Sequence, residues 1–165
     1  VNIMMQTDKE AAERLLKNVG NDVRRLSHEL IPPRFDKASL SELVCTYCQS
    51  MSAENGTIVK PFVSRSFEKL NLPSRTALEV YRIVQESVSN AIKYGYSKMI
   101  TVTLDASNNQ ASLCIANDIS PEHPITQGKM GIGKDTLKMR TEALKAVLTI
   151  SEQDEEYKVE VRFPL

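Results

Sequence analysis

Two neighbouring segments in which apolar and polar residues alternate constrain the fold of this chain more than any other feature. They are Met99–Leu104 and Ala111–Ala116, and Ser107-Asn108-Asn109 joins them. Alternation with a period of two is typical of a β-strand that is buried on one face, and asparagine favours tight turns. The two segments therefore predict a β-hairpin whose apolar face is covered by another layer of structure.

Helices are the predicted covering layer, because four segments carry apolar residues at intervals of three and four. Ser39 with Glu42 three residues later is a capping box, which marks the start of the second helix. Pro32-Pro33 ends the first helix, since proline cannot continue one. The predicted helices span Asp8–Leu30, Ser39–Ala53, Ser74–Tyr94 and Asp135–Val147. Residues 67–73 are predicted to form a loop, and the apolar stripe of the third helix is predicted to consist of Leu78, Tyr81, Val84, Val88 and Ala91.

Three further segments have the composition of strands. Thr57–Ser64 contains Pro61, which places it at a sheet edge because proline has no N–H to donate. Leu148–Ser151 and Lys158–Phe163 predict a second hairpin. The chain thus predicts an α+β fold, in which helices cover one face of a mixed or antiparallel sheet.

Composition argues against several classes of protein. Lysine and arginine total 21, as do aspartate and glutamate, and this balance argues against a nucleic-acid partner. The sequence has no run of about 18 apolar residues, which predicts no membrane segment in this chain. Three cysteines indicate a reducing compartment, and Cys45 and Cys48 are interpreted as part of a core helix face because no second ligand pair stands at zinc spacing.

One face of the third helix carries the side chains with the most chemistry. On a helical wheel Glu86, Asn90 and Lys93 fall within about 60° of one another, with Glu79 and Arg82 beside them. A solvated face with favourable Glu–Lys neighbours is the ordinary explanation of such a pattern. The alternative is a site where the amide oxygen binds Mg²⁺, the glutamate acts as a base and the lysine meets phosphate.

Residues 117–133 predict a loop of about 17 residues, a length that is often functional. Its glycines, Gly128, Gly131 and Gly133, lead into a helix whose N-terminus can hold an anion. A phosphate-binding loop of the G-x-x-x-x-G-K-[ST] type is rejected, because Asp135 stands where the Ser or Thr hydroxyl should be.

Four stretches together resemble one family. YRIVQESVSNAIKYG at 81–95 closely resembles the N-box of histidine kinases in the GHKL ATPase superfamily, and GIGKDTLKMRTEAL at 131–144 resembles their second glycine box. VRRLSHELIPPRF at 23–35 is similar to the end of the second dimerisation helix in the sensor-kinase class whose phosphoacceptor lies in R-E-L-H-D. VEVRFPL at 159–165 matches the terminal strand of such kinases.

The resemblance implies the Bergerat ATP-binding fold, a two-layer α/β sandwich with a mixed sheet of about five strands under three helices. It divides the chain into residues 1–34, the C-terminal part of a dimerisation helix, and residues 35–165, the catalytic and ATP-binding domain. The implied cofactors are ATP and Mg²⁺, with Asn90 as the metal ligand and Glu86 as the catalytic residue that polarises the accepting group. The nucleotide-binding residues it implies are Asn90, Lys93, Tyr94, Asn117, Asp118, Gly131 and Gly133.

Several positions depart from the family pattern. The first glycine box normally reads D-x-G, with its Asp accepting from the adenine amino group, and the aligned residues are Asn117, Asp118 and Ile119. An amide oxygen accepts this hydrogen bond more weakly than a carboxylate, and Asp118 replaces it only if the strand shifts by one residue. Glu156-Tyr157 stands for the late Gly-Thr pair, and Lys145-Ala146 for a Gly-Gly. These departures predict reduced nucleotide affinity.

His28 resembles a phosphoacceptor, because SHELIPP is similar to the S-H-E-L-R-T-P box of another sensor-kinase class. That class needs a full second helix between the histidine and the ATP domain, and the stretch before Asn90 is already occupied by other elements. His28 is therefore interpreted as an ordinary residue of the dimerisation helix, with the phosphoacceptor before Val1. Autophosphorylation is not expected from this chain alone.

The function predicted from these residues is that of the ATP-binding catalytic domain of a cytoplasmic two-component sensor histidine kinase. Its predicted partners are a second copy, bound through the N-terminal helix, and a response regulator. Two alternatives stay open at this point. One is a degenerate ATP-binding or dimerising scaffold without turnover, and the other is an anti-sigma-factor serine kinase of the same superfamily.

Overall fold

The structure is a computed structural model, and it divides the chain into two compact units, residues 1–34 and 35–165. In the first unit Leu16, Val19 and Gly20 are helical, and the rest of the predicted helix Asp8–Leu30, including His28, lies outside the described residues. The assignment of this unit to a dimerisation helix stays a prediction. Besides those three residues the structure describes 33–95, 97–119, 131–153 and 155–165, with only the backbone of 131–134.

The described part of the second unit contains four helices and five strands. Most of residues 117–133, the predicted loop, lies outside it. In chain order the elements are α1 (Leu40–Asn55), β1 (Ile58–Val63), α2 (Arg65–Glu68), α3 (Ser74–Gly95), β2 (Met99–Ser107), β3 (Gln110–Asp118), α4 (Gly131–Ala143), β4 (Val147–Gln153) and β5 (Glu156–Pro164).

The described strands form one sheet in the order β1-β2-β3-β5-β4. β1 runs parallel to β2, and the other neighbouring strands are antiparallel, so the sheet is mixed. The edge strand and both hairpins are therefore confirmed. Asn108 and Asn109 have φ values of 50° and 65°, the left-handed geometry that a tight hairpin turn requires.

One apolar core lies between this sheet and the helices. Buried residues alternate along β2 and β3, with Ile100, Val102 and Leu113 among them, and helices α1 and α3 contribute their own buried side chains to the same cluster. The predicted α+β fold, with a five-stranded mixed sheet under helices, is confirmed. Among the helices that the structure describes, none is long and apolar enough to cross a membrane.

Helix α1 begins after the predicted Ser39 cap and runs to Asn55, two residues past the predicted Ala53. The Ser39 N–H donates to Glu42 Oε2 at 2.8 Å, and the Glu42 N–H donates to Ser39 Oγ at 3.2 Å, which completes the capping box. Gly56 ends the helix with a left-handed φ of 69°. Cys48 is buried on this helix, and burial raises its pKa to about 12, so it remains a neutral core thiol at neutral pH.

Two predictions about the helices are corrected. The stretch after Ser64, predicted as a loop from Phe67, begins with the short helix α2, because Ser64 Oγ accepts from the Phe67 N–H and Phe67 is buried in the core. On α3 the predicted apolar stripe was too narrow. Leu78 is only half-buried, whereas Val80 and Ile83 are fully buried, because α3 packs against α1 and α4 as well as the sheet.

Helix α4 ends at Ala143 rather than at the predicted Val147. Lys145 has a φ of 52°, a left-handed conformation that stops a helix and that glycine adopts more easily than lysine. This is one of the positions where the family pattern has glycine. Residue 145 thus keeps a left-handed backbone conformation that suits glycine, although the residue here is lysine.

We expect Lys145→Gly to stabilise the protein by about 0.5–1 kcal/mol, because glycine relieves the left-handed strain. The midpoint of urea unfolding measures this change. Lys138→Gly, at an exposed position inside α4, is the matched control and is expected to destabilise by about 1 kcal/mol. Equal destabilisation by both substitutions would contradict the assignment of strain to residue 145.

Candidate functional site

A cleft that encloses about 390 Å³, part of it open to solvent, lies between the C-terminal half of α3 and the strands β3 and β5, with α4 beside it. Its apolar wall includes Ile115, Leu137 and Val159. Its polar lining consists of two asparagines and three residues that carry a hydroxyl group, namely Asn90, Asn117, Ser87, Tyr94 and Tyr157. An apolar cleft with a few convergent polar groups is the usual form of a small-molecule site.

Asn117 is the most buried polar residue of the cleft, with 4% of its surface exposed. Its Nδ2 donates to Ser97 Oγ at 2.9 Å and to the carbonyl oxygen of Asp118 at 3.0 Å. Both hydrogen bonds use the amide nitrogen. Oδ1 contacts no partner among the described residues and is therefore the polar atom that the Asn117 side chain has left for a ligand.

Asp118 does not line the cleft. Its carboxylate accepts hydrogen bonds from the main-chain N–H groups of Lys98 and Met99, at 3.2 and 2.9 Å, where β2 begins. Successive side chains of a strand point to opposite faces, so the strand cannot present both Asn117 and Asp118 to one cleft. The structure thus places Asn117 in the cleft and Asp118 on the opposite face of β3.

Two hydroxyl groups in the cleft lack hydrogen-bond partners among the described atoms. They are Ser87 Oγ, on a residue with 5% exposure, and the phenolic oxygen of Tyr157. Burial, more than the nearby Glu152 charge, raises the pKa of Tyr157, so the phenol stays protonated. A buried hydroxyl without a partner is costly, and a polar ligand in the cleft would satisfy both groups.

Sequence reasoning missed both hydroxyls. Ser87 lies three residues before Asn90, which places the two on neighbouring positions of α3. Tyr157 stands opposite Asn117 in the β3–β5 register. Helical spacing alone could have placed Ser87 beside Asn90. The position of Tyr157 depends on how β3 and β5 pair, which the sequence does not show.

The Glu86–Asn90 pair forms as the helical wheel predicts. Asn90 Nδ2 donates to Glu86 Oε1 at 3.0 Å, and both residues are half-buried. This bond leaves Asn90 Oδ1 available as an oxygen ligand for a hard cation, with a carboxylate beside it. Within the described part of the chain, no three His, Cys, Asp or Glu side chains cluster as a metal site. The donor set fits Mg²⁺, which takes few protein ligands and keeps waters and phosphate oxygens.

The remaining predicted site residues belong to α3 and to the start of α4. Tyr94, 38% exposed, lines the cleft near its opening, and Lys93 is exposed beside it on α3. Gly131 is the first residue of α4 and Gly133 follows in its first turn, so the helix begins four residues before the predicted Asp135 and includes two glycines that were predicted to lie in the loop.

Glu79 and Arg82, the other members of the predicted polar face, form contacts within the protein. Glu79 Oε2 accepts from Arg140 Nη1 at 2.9 Å, which joins α3 to α4. Arg82 Nη1 donates to Gln85 Oε1 at 3.0 Å. Glu79 and Arg82 are thus engaged within the fold, whereas Asn90 lines the cleft.

Comparison with known proteins gives no match to any family model. The chain is 24% identical over 136 residues to the sensor histidine kinase MctS of Rhizobium johnstonii, which covers 81% of this chain and 29% of that protein. It is 30% identical over 97 residues to the oxygen sensor histidine kinase NreB of Staphylococcus carnosus, covering 59% of this chain and 27% of that protein. The chain thus spans less than a third of either relative.

Solved structures share the fold at low sequence identity. The histidine kinase domain of a blue-light activated histidine kinase from Erythrobacter litoralis superimposes with a TM-score of 0.63 at 16% identity, over 76% of this chain and 61% of that one. Full-length ShkA in complex with AMPPNP gives a TM-score of 0.56 at 15% identity, over 90% of this chain and 35% of that one. The comparisons confirm the resemblance to sensor histidine kinases and the fold class.

Proposed function

Because the chain is related to sensor histidine kinases and has the fold of their catalytic domains, we propose that residues 35–165 bind Mg·ATP and donate its γ-phosphoryl group to a histidine. One observation carries the proposal. A single cleft is lined both by the buried amide of Asn117 and by Asn90, which is hydrogen bonded to Glu86. The AMPPNP bound to ShkA, an ATP analogue on a similar fold, supports a nucleotide as the ligand.

The adenine base is proposed to lie in the apolar part of the cleft. Ile115, Leu137 and Val159 supply the surfaces against which a planar base packs. Asn117 Oδ1 accepts from the 6-amino group of the base. The unpartnered hydroxyls of Ser87 and Tyr157 donate to its remaining acceptors, which satisfies groups that are otherwise buried without partners.

The triphosphate is proposed to run along α3 towards the exposed Lys93, which meets phosphate oxygens. Mg²⁺, when bound, neutralises the charge that develops on the phosphates. Asn90 Oδ1 would hold the ion, and the hydrogen bond from Nδ2 to Glu86 keeps that oxygen in place. Glu86 polarises the acceptor imidazole, whose nitrogen bonds to the γ-phosphorus as the bond to the bridging oxygen breaks and ADP leaves.

The partners are part of the same proposal. A dimerisation helix supplies the acceptor histidine, a second copy of the chain pairs through that helix, and a response regulator receives the phosphoryl group. This assignment is supported by the two sensor histidine kinases to which the chain is related. The proposed location of residues 35–165 is the cytoplasm.

A scaffold without turnover is the second candidate, and the position of Asn117 favours it. The amide presents a neutral acceptor where the family pattern has a carboxylate, so it holds the base less strongly. The Glu86–Asn90 pair opposes this candidate, because the chain retains the oxygen ligand and the carboxylate that Mg²⁺ binding and phosphoryl transfer would use.

Thermal unfolding separates the proposed function from a scaffold that no longer binds nucleotide. Mg·AMPPNP at 100 times its dissociation constant is expected to raise the free energy of unfolding by about 2.7 kcal/mol, because it binds the folded state only. The shift is measured in the melting temperature of this chain, with MgCl₂ alone and AMPPNP with EDTA as controls. A scaffold that no longer binds nucleotide would show the same melting temperature in all three samples, and that result would overturn the proposed function.

A further inference from the structure

The orientation of the Asn117 amide is fixed by the groups around it. Nδ2 lies 3.0 Å from the carbonyl oxygen of Asp118, which can only accept a hydrogen bond. Nδ2 also lies 2.9 Å from Ser97 Oγ. The single Ser97 hydroxyl hydrogen is directed to main-chain carbonyls, Asp118 O at 2.8 Å and Ala91 O at 3.4 Å. Ser97 Oγ is therefore an acceptor towards Asn117, and both neighbours require the amide nitrogen on their side.

This orientation has a chemical consequence that a carboxylate would not have. A carboxylate presents an acceptor whichever way it turns, whereas a carboxamide presents an acceptor in one orientation and a donor in the other. A rotated Asn117 amide would place Oδ1 against the Asp118 carbonyl and lose both Nδ2 hydrogen bonds. The fold thus makes Asn117 present only its oxygen to the cleft.

Gly95 is part of the same arrangement. A Cβ added at Gly95 would lie 2.6 Å from Ser97 Oγ and 2.9 Å from Asn117 Nδ2, closer than real side chains approach. Any larger residue there would displace both members of the hydrogen bond. The close approach of α3 to the start of β2 therefore depends on the missing side chain at Gly95.

We propose that Ser97, with Gly95, determines the base specificity of the cleft by fixing the orientation of the Asn117 amide. Adenine carries a 6-amino donor, which meets Asn117 Oδ1 favourably. Hypoxanthine and guanine carry a 6-oxo acceptor, which leaves two acceptors facing each other without a hydrogen. Ser97 touches neither base nor phosphate in this scheme and acts as a positioning residue. The inference rests on the proposed binding of ATP.

The test compares ATP with ITP, which differ at the 6-position of the base. We expect the unmodified chain to prefer ATP by about 10-fold or more, since a buried unsatisfied acceptor costs roughly 1–3 kcal/mol. In Ser97→Ala one of the two restraints on the amide is lost, and the ATP/ITP affinity ratio is expected to fall by about 3- to 10-fold. Displacement of a fluorescent ATP analogue in the presence of Mg²⁺ measures both affinities.

Thr57→Val is the matched control. Thr57 Oγ1 donates to the main-chain carbonyl of Ser97 at 3.1 Å, so this variant removes a buried hydrogen bond at the same residue without touching the Asn117 amide. Its ATP/ITP ratio is expected to equal that of the unmodified chain. Gly95→Ala is an independent second variant and is expected to lower the ratio as Ser97→Ala does. Melting curves establish that each variant is folded.

The outcomes separate this inference from the proposed function. If Ser97→Ala weakens ATP and ITP equally, Ser97 only supports packing, and the inference is overturned while ATP binding stands. An equal fall of the ratio in Thr57→Val would also overturn it, because any loosening near Ser97 would then be sufficient. If the unmodified chain binds neither nucleotide, both the inference and the proposed function are wrong.

Discussion

Asn90→Ala is expected to lower phosphoryl transfer by about 100-fold or more, the usual loss when a preorganised group that stabilises developing charge is removed. The substitution deletes the oxygen proposed to hold Mg²⁺, and it leaves Glu86 Oε1 without the amide that lies 3.0 Å away. The rate is measured as transfer from labelled ATP to the acceptor histidine in the full-length protein. In this chain the same variant is expected to bind AMPPNP equally with Mg²⁺ and with EDTA.

Asn55→Ala is a close match for this experiment. Asn55 also donates through Nδ2 to a group one turn earlier on its helix, the Met51 carbonyl, but it lies on α1 and does not line the cleft. Transfer by Asn55→Ala is expected to remain normal. Asn90→Asp keeps an oxygen ligand and replaces the donor to Glu86 by a second carboxylate, so an intermediate rate that rises with Mg²⁺ concentration is expected. Undiminished Mg²⁺-dependent binding by Asn90→Ala would exclude Asn90 as the metal ligand.

The local parts of this fold were predictable because local chemistry determines them. The Ser39–Glu42 capping box and the Asn108-Asn109 turn involve residues close in sequence, and each forms as predicted. The Glu86–Asn90 contact follows from helical spacing alone. The end of α4 at Ala143 was not predicted, since the lysine at 145 carries no residue-type signal for the left-handed conformation that it adopts.

The contacts that complete the cleft join residues distant in sequence, and this is why sequence reasoning missed them. Ser97 meets Asn117 only because β2 and β3 pair, and Tyr157 reaches the same face only because β5 lies beside β3. Alternation shows that Asn117 and Asp118 point to opposite faces, but it does not show which face holds the cleft. The sequence therefore left two candidates for the adenine contact where the structure brings one to the site.

Asn117→Ala is expected to weaken ATP binding by about 10- to 100-fold. The substitution removes the acceptor for the adenine amino group and also takes away the donor that Ser97 Oγ and the Asp118 carbonyl share. The substitution is expected to remove only contacts with the adenine base, because the Glu86–Asn90 pair is unchanged. The affinities for ATP and ITP are therefore expected to become nearly equal in this variant, as measured by displacement of a fluorescent nucleotide.

Asp118→Ala tests the competing assignment at the next residue. It removes the carboxylate that accepts from the Lys98 and Met99 N–H groups, so a loss of stability of about 1 kcal/mol is expected without a large change in ATP affinity. Comparing the two variants decides which side chain contacts the base. Each substitution removes a hydrogen-bonding group at the end of β3, but of the two side chains only Asn117 faces the cleft. Tight ATP binding by Asn117→Ala together with weak binding by folded Asp118→Ala would show that the base lies on the opposite face of β3, and the cleft described above would then not be the nucleotide site.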